Sequence, residues 1–220
     1  MVPIKENLVP KDKYAIKCPY TRTPTRVVIH NTANDAPAAN EISYMRYNDL
    51  EISFHYAVDD VNIVQGIPEN RNAWASGDGH GKGNMEGIHI EICYSKSGGK
   101  KFDKAEQNAA EFTASLLKKY GWGIDKVTKH RDYDGKYCPH RTLDRGWQRF
   151  LSMVKRYMEP AKAPVASKFT PYLIRKNCRD ALNIRKGPST NYGILGQIKD
   201  TLRYTIVEER SGPGSHKGWG

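Results

Sequence analysis

The chain has 220 residues, of which 38% are hydrophobic and 27% are charged, a composition within the usual range of globular proteins. No run approaches the ~18 consecutive apolar residues that a membrane helix needs, so membrane insertion is not expected. The first thirty residues carry charges throughout and lack the apolar core of a signal peptide, so we expect synthesis in the cytoplasm without an export signal. Lys and Arg outnumber Asp and Glu by 35 to 24, and such a basic chain attracts a polyanion: nucleic acid, an anionic membrane surface or an anionic cell wall.

The cysteines exclude a dense disulfide framework. Cys18, Cys93, Cys138 and Cys178 are widely spaced and form no Cys-x-x-Cys motif. This usage is typical of a chain that folds in a reducing compartment with one or two working thiols. The sequence leaves open whether Cys18 and Cys93 pair.

Composition divides the chain into two domains. Residues 159–168 are rich in Ala, Pro and Lys and have no hydrophobic period, which is typical of a linker. The first domain is therefore expected over residues 1–158 and the second over 169–220.

The first domain begins with alternating strands and helices. Residues 26–30 form a short apolar run that ends on a histidine, the pattern of a buried central strand. A helix is predicted near 36–48, and strands over 54–58 and 62–67 are expected to pair as a hairpin. Residues 87–94 alternate, so one face of the predicted strand carries three isoleucines and the other carries His89, Glu91 and Cys93.

Two helices complete the first domain. Asp103, with Glu106 three residues later, has the pattern of a capping box, and Gly121 is placed to end that helix. Asp144 is expected to cap a last helix that runs to Met158. The prediction is an α/β domain with a mixed central sheet flanked by helices.

The second domain is predicted to be a small all-β unit. Alternating residues at 182–185, a turn at 186–189 and short apolar runs at 194–198 and 202–207 indicate three strands. A unit of about 50 residues is marginal for independent stability. We therefore expect this domain to be incomplete, with its last strand missing from the sequence.

One group of residues has side chains of the kind that bind a metal ion. His130 follows a short predicted strand, and Cys138 stands eight residues later, before Pro139, with an Asp-Gly turn between them. Imidazole and thiolate are preferred zinc ligands, and His30, at the end of the predicted central strand, is the natural third. Three protein ligands leave the fourth tetrahedral position open, as a catalytic site needs. Each residue taken alone is more often structural, since a strand-end histidine or a Cys-Pro pair commonly serves packing, so the spacing by itself leaves both interpretations open.

A second motif resembles a different zinc enzyme. His89-Ile90-Glu91 matches the His-x-Glu half of zinc deaminases. Those enzymes also need a Pro-Cys-x-x-Cys half, and this chain has only one cysteine near that position, Cys138. The deaminase interpretation is therefore disfavoured.

Several segments together resemble a known family, the type 2 N-acetylmuramoyl-L-alanine amidases of phage endolysins and bacterial autolysins, which are related to peptidoglycan recognition proteins. The resemblance covers residues ~20–158 and rests on four motifs in the family's order: Val28-Ile29-His30-Asn31-Thr32, Ser53-Phe54-His55-Tyr56, Gly87-Ile88-His89-Ile90-Glu91 and Lys136-Tyr137-Cys138-Pro139-His140. The tail resembles a bacterial SH3-like wall-binding repeat, on Leu182-Asn183-Ile184-Arg185 followed by Gly187-Pro188-Ser189-Thr190.

The resemblance implies a zinc hydrolase that cuts the amide bond between N-acetylmuramic acid and L-alanine. Its three metal ligands fall on His30, His130 and Cys138. The family's assisting glutamate falls on Glu91, since another branch uses a tyrosine where this chain has Phe54, which has no proton to exchange.

The resemblance also implies how these groups act. Zinc polarises the scissile carbonyl and acidifies the attacking water. Glu91 accepts a proton from that water and passes it to the leaving amine, while Lys136 stabilises the developing oxyanion.

Further residues are candidates for substrate contact. Trp74 is placed to stack on sugar or stem peptide, although a buried anchor is an equal alternative. His80 lies in a glycine-rich stretch expected near the cleft. His55, His89 and His140 are not needed as metal ligands.

Two other functions are alternatives to the amidase. A non-catalytic peptidoglycan-binding protein typically loses the third metal ligand or the assisting glutamate, and both Cys138 and Glu91 are present. A nucleic-acid binder needs a basic stripe with interleaved aromatic residues, and no such motif occurs. The expected partners are therefore peptidoglycan and, because of the excess positive charge, anionic wall polymers such as teichoic acid, reached after release of the protein to the cell wall.

Overall fold

A computed structural model describes residues 1–159, 171–175 and 180–206 of the chain. The chain divides into two compact units, Met1–Ala161 and Lys162–Gly220. The predicted linker at 159–168 lies, from Pro160 onward, outside the described residues. No helix within the described ranges has the length and apolar character needed to cross a membrane.

The first unit is built on a six-stranded mixed sheet. Its strands are, in chain order, β1 (Ile4–Glu6), β2 (Arg26–Asn31), β3 (Tyr56–Val58), β4 (Ile63–Gln65), β5 (Gly87–Ile92) and β6 (Val127–Lys129). The spatial order is β1-β4-β3-β5-β2-β6, and every neighbouring pair is parallel except the antiparallel β3–β4 hairpin. The mixed α/β fold predicted from the sequence is therefore confirmed, including the hairpin.

Helices surround this sheet and close the core. They are α1 (Tyr14–Lys17), α2 (Ala38–Tyr47), α3 (Lys82–Glu86), α4 (Gly99–Tyr120), α5 (Arg131–Asp134), α6 (His140–Asp144) and α7 (Trp147–Met158). The long α4 packs on β3 and β5 and against α7. Ile88, Ile90 and Ile92 of β5 are fully buried in this core, and each such side chain stabilises the fold by about 1.5–3 kcal/mol.

The start of α4 differs from the prediction. The helix begins at Gly99, four residues before Asp103, and no capping box forms. Asp103 instead pairs with Arg145 (2.6 Å), and the buried Glu106 carboxylate accepts two hydrogen bonds from Arg149 (both 2.7 Å). Asp103 and Glu106, which the predicted capping box would need, thus form ion pairs with residues from other helices instead. The predicted end is confirmed, since Gly121 adopts the left-handed conformation (φ +67°).

The start of α7 also corrects the prediction. Asp144 is the last residue of α6, and its carboxylate accepts a hydrogen bond from the Tyr137 hydroxyl (2.7 Å) instead of capping a helix. The last helix begins at Trp147, directly after Gly146, whose φ of +100° suits glycine. Phe150 and Val154 are the buried residues of this helix.

The register in which β2 pairs with β5 and β6 brings several polar side chains of the first unit together. The parallel pairing of β2 with β5 sets His30 beside Glu91 and Val28 beside His89. Since side chains alternate along a strand, His30, His89 and Glu91 share one face of the sheet. On the other side of β2, Ile29 pairs with Lys129 at the end of β6, so the next residue, His130, follows directly beside His30.

The second unit contains two antiparallel pairs of strands within the described residues. Its strands are β7 (Tyr172–Arg175), β8 (Leu182–Arg185), β9 (Ile194–Ile198) and β10 (Arg203–Ile206); β7 pairs with β10, and β8 with β9. Three correspond to the predicted strands, while β7 was not predicted. The predicted end of the last strand, Val207, lies outside the described residues.

Candidate metal centre

Three potential ligands converge at the carboxyl ends of β2 and β6. His30 belongs to β2, His130 follows β6, and Cys138 precedes α6. One ligating atom from each lies within 4.8 Å of the others, and all three residues are buried. The Nδ1 atoms of His30 and His130 are 3.2 Å apart, and the Cys138 Sγ is 3.9 Å from the His30 Nδ1.

The chemistry of these donors fits a zinc ion. Zinc–nitrogen bonds of about 2.0–2.1 Å and zinc–sulfur bonds of about 2.3 Å separate tetrahedral ligand atoms by roughly 3.3 and 3.6 Å. The observed separations are close to these values. Two imidazole nitrogens that face each other are moreover poor partners unless a proton or cation lies between them.

Burial controls the protonation of the three ligands. Desolvation lowers the pKa of His30 well below its usual value, and it also lowers the pKa of His130. Both imidazoles are therefore neutral, as metal ligation requires. Burial, with the nearby Glu91, raises the pKa of the Cys138 thiol to about 12. A bound cation would displace that proton, because metal binding and thiol deprotonation are coupled.

Each histidine ligand has a partner on its other ring nitrogen. The His30 Nε2 lies 2.9 Å from the Nδ1 of His89, and the His130 Nε2 lies 3.0 Å from a carboxylate oxygen of Asp134. Such outer partners orient metal-binding imidazoles and set their tautomers. Sequence reasoning missed both, although Asp134 stands one helical turn after His130 and His89 shares the strand face of Glu91.

Glu91 lies at the edge of the ligand cluster. Its Oε1 is 4.0 Å from the His30 Nδ1, and its buried Oε2 has no hydrogen-bond partner in the part of the chain that the structure describes. Burial, with a contribution from Glu41, raises the pKa of Glu91 to about 8, against the opposing effect of Lys136. The Oε2 of Glu91 is therefore available as a proton acceptor or donor beside the centre, while Oε1 faces the His30 ring.

An open cavity of about 800 Å³ gives access to this group. The three ligands, Glu91 and the exposed Lys136 all line it. Phe54 also lines the cavity. As expected from the sequence, its phenyl ring has no proton to exchange with a substrate. Residues of α2 and of the segments on either side of it also line the cavity, including Thr32, Asn34, Asn40, Glu41, Tyr44 and Ile52.

The two predicted substrate-binding residues lie elsewhere. Trp74 and His80 border a second cavity of about 520 Å³, where both rings pack edge-on against Tyr20. The Trp74 indole is half-buried and donates a hydrogen bond to the Ile16 carbonyl (3.0 Å). The next residue, Ala75, lines the main cavity, so one segment borders both spaces.

Among the described residues, the other histidines and cysteines lie outside this three-residue cluster. His140 lies within 3.2 Å of the Ser95 carbonyl, and His55 packs against His89. Cys18 and Cys93 are separate buried thiols and form no disulfide with each other.

Comparison with known proteins identifies a matching family and several relatives of this chain. Residues 20–141 match the family model Amidase_2, described as N-acetylmuramoyl-L-alanine amidase. The chain is 51% identical to N-acetylmuramoyl-L-alanine amidase XlyB of Bacillus subtilis, over 80% of this chain and 57% of that protein. It is 50% identical to amidase CwlA of the same organism, over 82% of this chain and 70% of that protein. The chain thus spans little more than half the length of XlyB.

Solved structures agree with these relatives. The structure of PlyL is 52% identical in sequence, with a TM-score of 0.68 over 70% of this chain and 97% of that chain. The catalytic domain of XlyA is 35% identical, with a TM-score of 0.64 over 70% of this chain and 99% of that chain. The chain therefore belongs to the Amidase_2 family of N-acetylmuramoyl-L-alanine amidases.

Proposed function

We propose that this protein is a zinc-dependent hydrolase that cuts the amide bond between N-acetylmuramic acid and L-alanine in peptidoglycan and so lyses the bacterial cell wall. The observation that carries the proposal is the convergence of His30, His130 and Cys138, in one open cavity, beside Glu91, whose Oε2 has no partner among the described residues. Membership of the amidase family supports the choice of bond.

His30, His130 and Cys138 would hold the zinc ion. When bound, zinc polarises the scissile carbonyl and lowers the pKa of an attacking water to roughly 7. Glu91 supplies the proton transfer: its buried Oε2 accepts a proton from that water and returns it to the leaving nitrogen. A neighbouring cation would favour the carboxylate form that this first step needs.

We assign Lys136 the role of stabilising the negative charge that develops on the oxygen of the scissile carbonyl. Its ammonium group lies on the exposed loop before Cys138 and lines the same cavity as Glu91. A positive charge at the wall of a site stabilises an oxyanion more in the transition state than in the ground state. Lys136 therefore acts on turnover more than on binding.

The glycan and the stem peptide need more surface than the metal centre offers. We assign Trp74 and His80, with the neighbouring Tyr20, to substrate contact in the second cavity, since aromatic rings suit the apolar faces of sugars. This cavity adjoins the main one through residues 74 and 75, so a polymeric substrate can reach both.

The second unit is proposed as an SH3-like wall-binding domain. Its two antiparallel strand pairs and its basic composition support contact with an anionic polymer of the wall. Peptidoglycan and anionic wall polymers are thus the proposed partners, and the cell wall is the proposed place of action.

Metal replacement tests the zinc proposal. The purified full chain should contain close to one zinc per molecule, lose wall lysis on treatment with a chelator, and regain it when zinc is added back. His130→Ala should bind less zinc and fail to recover. Full lytic activity after complete removal of metal would contradict the proposal.

A further inference from the structure

His89 is a buried histidine that the proposed chemistry leaves unexplained. Its side chain is 0% exposed and lies between two other buried imidazoles, those of His30 and His55. Its Nε2 makes no hydrogen bond of good geometry in the described part of the chain, and the backbone of Gly83, in α3, offers the ring only a weak one. A buried polar atom without a good partner costs stability, so an apolar side chain would serve the core better.

The backbone fixes the tautomer of the neighbouring His55. The backbone N–H of His89 donates to the His55 Nδ1 (3.1 Å), so this nitrogen carries no proton. The proton of the neutral ring is then on Nε2, which lies 2.9 Å from the Arg71 carbonyl oxygen and also 2.9 Å from a guanidinium nitrogen of Arg22. His55 is stacked on His89 with ring centroids 5.6 Å apart, so it covers the side of the His89 ring away from His30 in the sequence of three imidazoles.

The hydrogen bond between His89 and His30 has two possible directions. If His89 donates from Nδ1, the neutral His30 ring carries its proton on its own Nδ1. That atom faces the His130 Nδ1 and the Cys138 Sγ, so the proton would occupy the position of a metal ion. If His30 donates from Nε2 to His89, the His30 Nδ1 lone pair is free to bind metal.

We propose that His89 is a positioning residue that accepts a hydrogen bond from the His30 Nε2 and so holds His30 in the tautomer that presents Nδ1 to the metal. The inference rests on the proposed function, since it assumes a metal ion held by His30, His130 and Cys138. His89 does not touch the substrate. Its effect is on the affinity for metal and on the direction in which the His30 ring points.

Two substitutions separate positioning from packing. His89→Leu removes the acceptor while filling a similar volume, whereas His89→Asn keeps an acceptor oxygen near the position of Nδ1. We expect zinc affinity, measured by competition with a chromophoric chelator, to fall about 10- to 100-fold in His89→Leu. His89→Asn should recover most of this loss. Thr113→Val is the matched control, because it also removes a buried group without a partner among the described residues, and its affinity should equal that of the parent.

A spectroscopic measurement on the unmodified chain covers the case in which His89→Leu does not fold. In the zinc-loaded protein labelled with ¹⁵N-histidine, long-range ¹H–¹⁵N spectra should show a protonated Nε2 on His30 and an unprotonated Nδ1 on His89. A proton on the His89 Nδ1, or a folded His89→Leu protein with parental zinc affinity, would overturn the inference. Failure of the parent chain to bind zinc would overturn the metal centre itself, and with it the role of His89.

Discussion

At the scale of single residues, the two histidine ligands are held by different kinds of partner. Asp134 gives His130 an exposed, negatively charged acceptor, whereas His89 gives His30 a neutral, buried one. A carboxylate raises the basicity of the imidazole that it accepts from, and so strengthens metal binding. The two partners therefore predict separable effects on the metal centre.

Asp134→Asn should weaken zinc binding about 10- to 100-fold, since the amide removes the charge beside His130. The Asp134 carboxylate also accepts the backbone N–H of Lys136 (2.8 Å), so an amide cannot satisfy both donors with oxygen. Chelator competition measures the change. Asp132→Asn, two residues earlier and paired with Lys129, is the control and should leave affinity unchanged. Equal affinities of the two variants would contradict the assigned role of Asp134.

Glu91→Gln should retain zinc and lose about 10²- to 10⁴-fold in turnover, because the amide cannot transfer the proton. Release of soluble peptide from purified wall gives the rate, and metal analysis gives the zinc content. Glu111→Gln, which alters a carboxylate paired with the amino terminus, should keep both rate and metal. A Glu91→Gln protein with parental turnover would remove Glu91 from the mechanism.

Sequence motifs predicted the inner part of this centre but not its outer part. His30, His130 and Cys138 stand in motifs whose spacing suits a metal ion, whereas Glu91 was assigned through the family resemblance and shares the face of His30 only through strand register. His89 was set aside because nothing local shows that its ring meets His30. That contact depends on the register of β2 and β5, two strands separated by more than fifty residues.

At the scale of elements, the α4–α7 pair is fixed by ions as well as by apolar packing. Glu106 is 1% exposed and is held by Arg149, with Arg145 at 3.6 Å. The prediction of a capping box failed here because Asp103 and Glu106 face the α6–α7 region and form stronger charge-assisted bonds there. Local capping rules cannot anticipate partners supplied by distant helices.

Glu106→Gln should lower the free energy of unfolding by about 2 kcal/mol, because it leaves Arg149 without its carboxylate, while Arg145 keeps Asp103. This is less than the 3–5 kcal/mol of a fully buried pair, since Arg149 is 38% exposed. Urea denaturation of the chain measures the loss. Asp103→Asn breaks a surface pair and should cost less than about 1 kcal/mol. If Glu106→Gln cost no more than this control, the ion pairs would not be what fixes α7.

At the scale of the whole molecule, positive charge is concentrated in the second unit and the segment before it. Residues 160–220 contain eleven basic and four acidic residues, so they carry seven of the eleven net positive charges. Attraction of this kind is long-ranged and falls with ionic strength. It suits a domain that holds an enzyme on an anionic wall.

Removal of residues 160–220 should weaken binding to intact wall while leaving cleavage of soluble muropeptides within about threefold of the full chain. Met1–Ala161 is a compact unit by itself, and the PlyG catalytic domain, 50% identical, was solved without further domains and covers 74% of this chain. Co-sedimentation with purified walls at low and high salt gives the binding. Retained wall affinity in the shortened chain would argue against the SH3-like domain as the anchor.

Much of the architecture was predictable because it depends on periodicity. The apolar run of β2, the alternation of β5 and the hairpin of β3 and β4 are local patterns that the sheet preserves. The edge strand β1 and the strand β7 were missed, since Ile4–Glu6 and Tyr172–Arg175 are short and mostly exposed and show no clear apolar alternation. Their pairing is set by neighbours far along the chain.

Identification of the bond that is cut tests the proposed function most directly. Peptidoglycan digested with the full chain, then analysed by mass spectrometry after labelling of free amino groups, should show new amino-terminal L-alanine on stem peptides. Glycan strands should then carry free lactyl carboxylates. The Glu91→Gln protein should give neither product. New reducing sugar ends, or peptides cut within the stem without free L-alanine, would contradict the account.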